Sequence, residues 1–255
     1  MTDYVTVNGV PTWYDERGSG ERTVVLLHGG LTDSRDFEPN LAALADRFRV
    51  LLPDRRGHGH TADVPGPITV GLMAADVAAF LDKVAGGAVH LVGYSAGAAV
   101  ALRVAIDRPD LVDRLVLISG AFHRDGLIML PEAGGTPPPA LVARYAEVSP
   151  DGAEHFPEVI AKIARAAAEE PGLCREDLAA VVRPTLVMAG DDDLVTLDHT
   201  VALYESLANA QLAILPAASH LLLFEHPSLC TQLVADFLTT DPRTLMPIRR
   251  AGQRP

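Results

Sequence analysis

Short runs of β-branched and aliphatic residues alternate along this chain with longer stretches rich in Ala and Leu. Apolar runs of five to seven residues read as buried strands, and apolar residues recurring at helical spacing read as helices packed by one face. The segments 4–9 and 11–18 flank Asn8-Gly9, a hairpin turn signal, and open the pattern as paired strands. Further strands are expected at 23–29, 49–54, 89–95, 114–120, 184–190 and 210–216. Helices are expected over 34–47, over 69–85 (Leu72, Ala75, Val77, Ala79, Phe80 and Val84 on one face), after Ser95 and over 226–240. Strands alternating with helices predict an α/β protein with a mostly parallel sheet of about eight strands and helices on both faces.

The rhythm breaks between Ala121 and Arg183. That stretch holds Gly134-Gly135, three consecutive prolines from Pro137 and Ala-rich helical patterns near 139–147 and 157–169. A segment of this length with helices of its own, between two core strands, reads as a small inserted helical cap. The expected organisation is therefore a core of 1–120 and 184–240, a cap over 121–183 and a flexible tail over 241–255, where prolines and arginines gather.

Composition narrows the function classes. Among 255 residues, Lys and Arg number 21 against 33 Asp and Glu, a net charge of −12. Nucleic acid and anionic membrane surfaces both select clustered positive charge, so neither is an expected partner. No apolar run approaches the ~20 residues of a membrane span, and the first residues show no basic segment leading into an apolar one. With only Cys174 and Cys230 present, a disulfide framework is excluded, and a reducing cytoplasm is the expected location.

The chemistry concentrates at the ends of predicted strands. Gly93-Tyr94-Ser95-Ala96-Gly97 has the form G-x-S-x-G, directly after a strand and directly before a helix. Two residues without side chains let strand and helix meet in a sharp turn, which presents the Ser95 hydroxyl and leaves the Ala96 N–H at a helix start. A serine hydroxyl needs a base, and the base an orienting acid. His220 stands in the loop after the final strand, and Asp191, Asp192 and Asp193 follow the strand before it. The pair His58 and His60 lacks a third ligand at metal spacing, so no metal is expected. His90 alternates into a buried strand and is expected to be a hydrogen-bonded core histidine.

Taken together, these residues resemble the α/β-hydrolase fold superfamily, whose chain order is Ser, Asp, His. The likeness runs from about Tyr4 to Leu238. His28-Gly29-Gly30 is similar to the superfamily's HG-x element, which implies that the N–H of Gly30 joins that of Ala96 in an oxyanion hole. His28 itself then reads as a residue that holds this loop. Asp54 to Thr61 resembles the D-x-R-G-x-G-x-S loop, with Thr61 for Ser. The G-x-x-D acid motif counted from Gly190 selects Asp193, and His220, Glu225 and Pro227 match the GHxxxxExP ending, with Ser219 for Gly.

The resemblance implies a serine hydrolase acting on a small carboxylic ester or lactone through an acyl-enzyme, without cofactor. Dehalogenases and epoxide hydrolases of this fold use Asp at the position of Ser95. The alternatives it leaves are carbon–carbon bond hydrolysis, a cofactor-free haloperoxidase or perhydrolase activity, and a non-catalytic ligand-binding role. Leu31, Tyr94, Phe122, Met129, Tyr145 and Leu221 are the candidate pocket residues, with Leu127, Ile128 and Leu130 beside them. Arg35 and Arg124 are candidate clamps for a substrate carboxylate.

Overall fold

A computed structural model describes residues 1–130, 134, 136–241 and 245–246. Its centre is one eight-stranded sheet: β1 (Thr2–Val7), β2 (Val10–Arg17), β3 (Thr23–Leu27), β4 (Arg49–Pro53), β5 (Val89–Tyr94), β6 (Val112–Ile118), β7 (Thr185–Asp192) and β8 (Ala210–Ser219). The spatial order is β1-β2-β4-β3-β5-β6-β7-β8. β2 lies antiparallel to both neighbours, and every pair from β4 to β8 is parallel. The opening hairpin and the parallel sheet are those expected.

Successive side chains of a strand leave by opposite faces, and that alternation divides the core. Val25, Leu27, Leu51, Leu91, Leu115, Leu117 and Val187 pack on one side, with α1 (Val70–Phe80) and α2 (Ala96–Asp107). Val24, Leu26, Val50, Leu52, Val92, Val116, Ile118 and Met188 pack on the other. There Phe37, Leu41, Cys230, Val234 and Leu238 cover them.

Between β6 and β7 lie α3 (Pro139–Val148), α4 (Phe156–Glu169) and α5 (Arg175–Leu178). Polar links tie this segment to the core. Arg144 of α3 reaches Asp33 and Asp36 at 3.1 Å. His155 and Lys162 converge on Asp63. Glu170 accepts from the backbone N–H groups of Val70 and Gly71, satisfying two orphan donors at the start of α1. Beyond β7 come α6 (Leu197–Ser206), α7 (Leu222–Glu225) and α8 (Pro227–Thr239).

Three expectations need correcting. The helix expected over 34–47 is two 3₁₀ turns, Ser34–Phe37 and Leu41–Asp46. Pro39 has no N–H to donate and crowds the preceding turn, so the apolar spacing around it cannot be drawn into one helix. α6 was not expected. Its mark is Thr196, whose side chain accepts from the N–H of His199 as an N-cap. His90 is buried as expected, 2% exposed, yet among the described residues neither ring nitrogen has a hydrogen-bond partner. Its ring meets the edge of Phe48, and the Asp113 carboxylate 3.3 Å from Nδ1 is out of line. Most of the expected tail, 242–244 and 247–255, lies outside the described residues.

Candidate active site

Ser95, Asp193 and His220 each directly follow the C-terminal end of a parallel strand: β5, β7 and β8. These strands run side by side in the order β5-β6-β7-β8, so 125 residues of separation between Ser95 and His220 close to hydrogen-bond distance. Ligands of open α/β sheets bind along this carboxyl edge.

Ser95 sits at φ 54 and ψ −121, a conformation that costs a non-glycine residue of order 1–3 kcal/mol. The surroundings enforce it. A Cβ on Gly93 would fall 2.3 Å from the carbonyl oxygen of Gly97, and one on Gly97 only 2.1 Å from that of Leu27. Only glycine at both positions lets α2 start so close to β3 and β5, and the turn left between them projects Ser95. The Ser95 N–H donates to Ile118 at 2.8 Å, fixing the turn to β6.

His220 Nε2 lies 2.9 Å from Ser95 Oγ, and His220 Nδ1 lies 2.7 Å from Asp193 Oδ1. A carboxylate only accepts, so Nδ1 carries the ring proton and Nε2 faces the hydroxyl as acceptor. Burial alone would raise the Asp193 carboxyl. The hydrogen bonds of His220 and Ser119 and the N–H of Val195 outweigh it and hold the group below the ordinary carboxylate range. Asp191 instead accepts from Ala218 N–H at 3.1 Å, and Asp192 is exposed at the strand end. Of the three consecutive aspartates, the structure brings Asp193 to the histidine.

Sequence reasoning missed Ser119. It follows β6, sits at φ 50 and donates its hydroxyl to Asp193 Oδ2 at 2.5 Å. No motif marks it; its position after the strand next to β7 is the only signal. Ser219, in place of the expected glycine, donates both its N–H and its hydroxyl to Glu225, at 2.7 and 2.8 Å.

Gly30 borders Ala96, since a Cβ on Gly30 would lie 3.4 Å from the Ala96 methyl. Ala96 opens α2, where an N–H has no acceptor within the helix. His28 is buried, and burial together with the Arg55 charge pushes its pKa far down. The neutral ring accepts from Arg55 N–H through Nε2 at 3.1 Å and donates from Nδ1 to the Gly29 carbonyl at 2.8 Å.

The candidate pocket residues divide. Tyr94 is buried and donates its hydroxyl to the carbonyl of His220 at 2.8 Å. Leu31 is half-buried beside Gly30, while Met129 at 66% and Leu221 at 52% are exposed. Tyr145 is buried and stacks on Phe156. Phe122 stacks on His199 and, with Leu173, lines a surface cleft of about 460 Å³ against α6. Ile128 and Leu130 are exposed, and Leu127 bridges to Val195 just past Asp193.

Both candidate clamps have protein partners. Arg35 binds Asp33 and Glu147, and Arg124 donates to the carbonyl of Ala168. His60 pairs with Asp54, while Nδ1 of His58 donates to the Arg56 carbonyl, so the two rings serve different partners. Among the described residues, no cluster of three His, Cys, Asp or Glu is arranged to hold a metal, and no helix is long and apolar enough to cross a membrane.

A serine hydroxyl that faces the accepting nitrogen of an oriented histidine can add to a carbonyl, and backbone N–H groups at a helix start can hold the charge that develops. Comparison with known proteins gives the family. A protein of Caulobacter sp. (strain K31) named carbamate hydrolase RutD is 31% identical over 269 residues, 92% of this chain and 97% of the relative. The enol-lactonase of Burkholderia xenovorans LB400 superposes with a TM-score of 0.76 at 27% identity, covering 93% of this chain and all of the other. A serine hydrolase involved in carbazole degradation, the CarC enzyme, superposes with a TM-score of 0.79 at 26% identity, covering 94% and 98%. The profile of the alpha/beta hydrolase family matches residues 24–232. The eight-stranded sheet and this match over most of its length make the chain a member of the alpha/beta hydrolase family and a hydrolase of that fold.

Proposed function

We propose that the chain is a serine hydrolase of small carboxylic esters or lactones. The observation that carries this is the 2.9 Å contact of Ser95 Oγ with a histidine whose other nitrogen is held by Asp193. Ser95 Oγ attacks the carbonyl carbon as its proton passes to His220 Nε2. The oxyanion is held by the N–H groups of Gly30 and Ala96. Collapse returns the proton from His220 to the departing alkoxide and leaves an ester on Ser95. Water, deprotonated by the same nitrogen, then releases the acid and restores the hydroxyl. Asp193 keeps the imidazole in the required tautomer and stabilises the imidazolium.

The segment between β6 and β7 acts as the cap that sets substrate size. Carbamates form a second substrate class, favoured by the 31% identity to the relative that carries that name, and attack at their carbonyl uses the same residues.

The test is reaction with a fluorophosphonate probe, mapping of the modified peptide by mass spectrometry, and a panel of aryl esters, lactones and aryl carbamates, with Ser95→Ala as control. An adduct on Ser95 and turnover lost in Ser95→Ala are the expected results. Turnover that survives Ser95→Ala removes the acyl-enzyme. A labelled serine with no turnover of the panel removes the ester and lactone assignment.

A further inference from the structure

Arg55 is an uneconomical residue for its place. It is 4% exposed, and burial, against the attraction of Asp36 and Asp54, pulls its pKa down to about 10. Its Nε has no partner among the described residues, and Nη1 finds only the sulfur of Met73 at 3.5 Å. Burying a guanidinium on such terms costs stability, since removing its charge from water is only partly offset. What it does hold is the loop after β3. Nη2 donates to the carbonyl oxygens of His28 at 2.5 Å and Gly29 at 2.7 Å, and its backbone N–H donates to His28 Nε2.

In a trans peptide the C=O and N–H point opposite ways. The Gly29 carbonyl and the Gly30 N–H belong to one peptide unit. With its oxygen taken by Arg55 Nη2 and His28 Nδ1, that unit turns the Gly30 N–H away from the guanidinium. Gly30 stands on the side of Ala96, the first residue after Ser95. A cation on the carbonyl also polarises the amide and strengthens its N–H as a donor. On the other side, the Thr32 hydroxyl donates to Asp36, so the loop is also held at a second point.

We propose that Arg55 is a positioning residue for the oxyanion hole, clamping the His28 and Gly29 carbonyls so that the Gly30 N–H is fixed and polarised toward the developing charge. The proposal rests on the acyl-enzyme reading, in which the Gly30 N–H is one of the two donors.

The experiment compares wild type, Arg55→Met and Arg55→Lys with p-nitrophenyl acetate. The kcat of each is divided by the fraction of sites titrated with fluorophosphonate, so that misfolded molecules do not count. Deleting an oxyanion donor costs about 10²–10³ in rate, and misaiming one costs less. Arg55→Met is therefore expected to lose about 10- to 100-fold in kcat per titrated site, with KM within about threefold. Arg55→Lys, with charge but one ammonium for two carbonyls, is expected to fall between Met and wild type. A kcat per titrated site equal to wild type in Arg55→Met overturns the proposal, because a merely structural role lowers the titrated fraction alone. A loss confined to KM overturns it as well. Should Arg55→Met fail to fold, Arg55→Lys decides: a loss of about threefold or more per titrated site supports the clamp, and a wild-type value overturns it. A wild type that neither labels nor turns over ester overturns the acyl-enzyme reading itself.

Discussion

The hydroxyl of Tyr94 donates to the backbone carbonyl of His220 across 2.8 Å, although 126 residues separate them in the chain. Tyr94 is the residue before Ser95, so this bond ties the turn that carries the hydroxyl to the loop that carries the imidazole. The two rings also face each other, with centroids 5.6 Å apart. Tyr94→Phe keeps the ring and leaves a partly buried carbonyl short of a donor. The expected cost is about 1–2 kcal/mol of stability, read by urea unfolding. In ester turnover, kcat is expected to fall about 3- to 10-fold as the histidine loses its fixed distance to Ser95, with KM unchanged. A variant with wild-type kcat would show that the loop is held without Tyr94.

The three aspartates after β7 differ in their partners, and their amides should differ in activity. Asp193→Asn presents an N–H₂ group or a neutral oxygen to His220 Nδ1 and unsettles the tautomer. A loss of about 10²–10⁴ in kcat is expected, the scale at which a triad acid acts. Asp191→Asn keeps an oxygen for the Ala218 N–H, and Asp192→Asn alters an exposed side chain, so each is expected within about threefold of wild type. Sensitivity at Asp192 in place of Asp193 would contradict the observed pairing.

Ser119→Ala removes the hydroxyl from Asp193 Oδ2 and leaves Gly190 N–H at 3.2 Å as that oxygen's remaining hydrogen-bond donor. About a tenfold fall in kcat is expected, with the folded fraction retained. The kinetic effect should diminish in the Asp193→Asn background, because the two residues act through one imidazole. A double-mutant cycle with additive losses would separate them.

Arg144 reaches from α3 to two buried carboxylates, Asp33 and Asp36. Its removal leaves Asp33 with Arg35 but strips Asp36 of its ion-pair partner. Arg144→Met is expected to destabilise the protein by about 1–3 kcal/mol, the range for hydrogen bonds to charged groups. It should also raise the rate of limited proteolysis between β6 and β7. Equal protease sensitivity of the two chains would exclude this residue as an anchor of the segment.

Acid should weaken the fold before its carboxylates titrate. His58 and His199 are each pushed down to about 4 from an ordinary 6.5, burial being the leading cause, and His28 moves the same way. Their folded pKa values lie below the unfolded ones, so the unfolded chain takes up protons first. Stability is then complete above pH 6.5 and declines as pH falls toward 4, by about 1.4 kcal/mol per pH unit for each such site. Thermal midpoints measured from pH 7.5 to 4.5 are expected to fall, and His58→Gln should flatten the curve. A midpoint constant over that range would mean these rings are not held neutral.

Local chemistry was legible from the chain. Alternating apolar runs located the eight strands to within a few residues, because period-two patterning and turn residues are properties of neighbours along the sequence. G-x-S-x-G after a strand and the histidine after β8 were marked by position, which left the acid open among Asp191, Asp192 and Asp193 until the family resemblance selected Asp193. In the structure His220 is within hydrogen-bond distance of both Ser95 and Asp193. The helix expected over 34–47 was lost to Pro39, a local rule that the apolar spacing obscured. What the sequence could not show is which polar group meets which across the fold. Ser119 on Asp193, Tyr94 on His220, Arg55 on the carbonyls of His28 and Gly29, Phe122 on His199 and Arg144 on Asp33 all join residues from different elements. Such pairings are set by strand order and by the packing of helices against the sheet. A residue's type fixes what it can bond, and only tertiary structure decides the partner within reach.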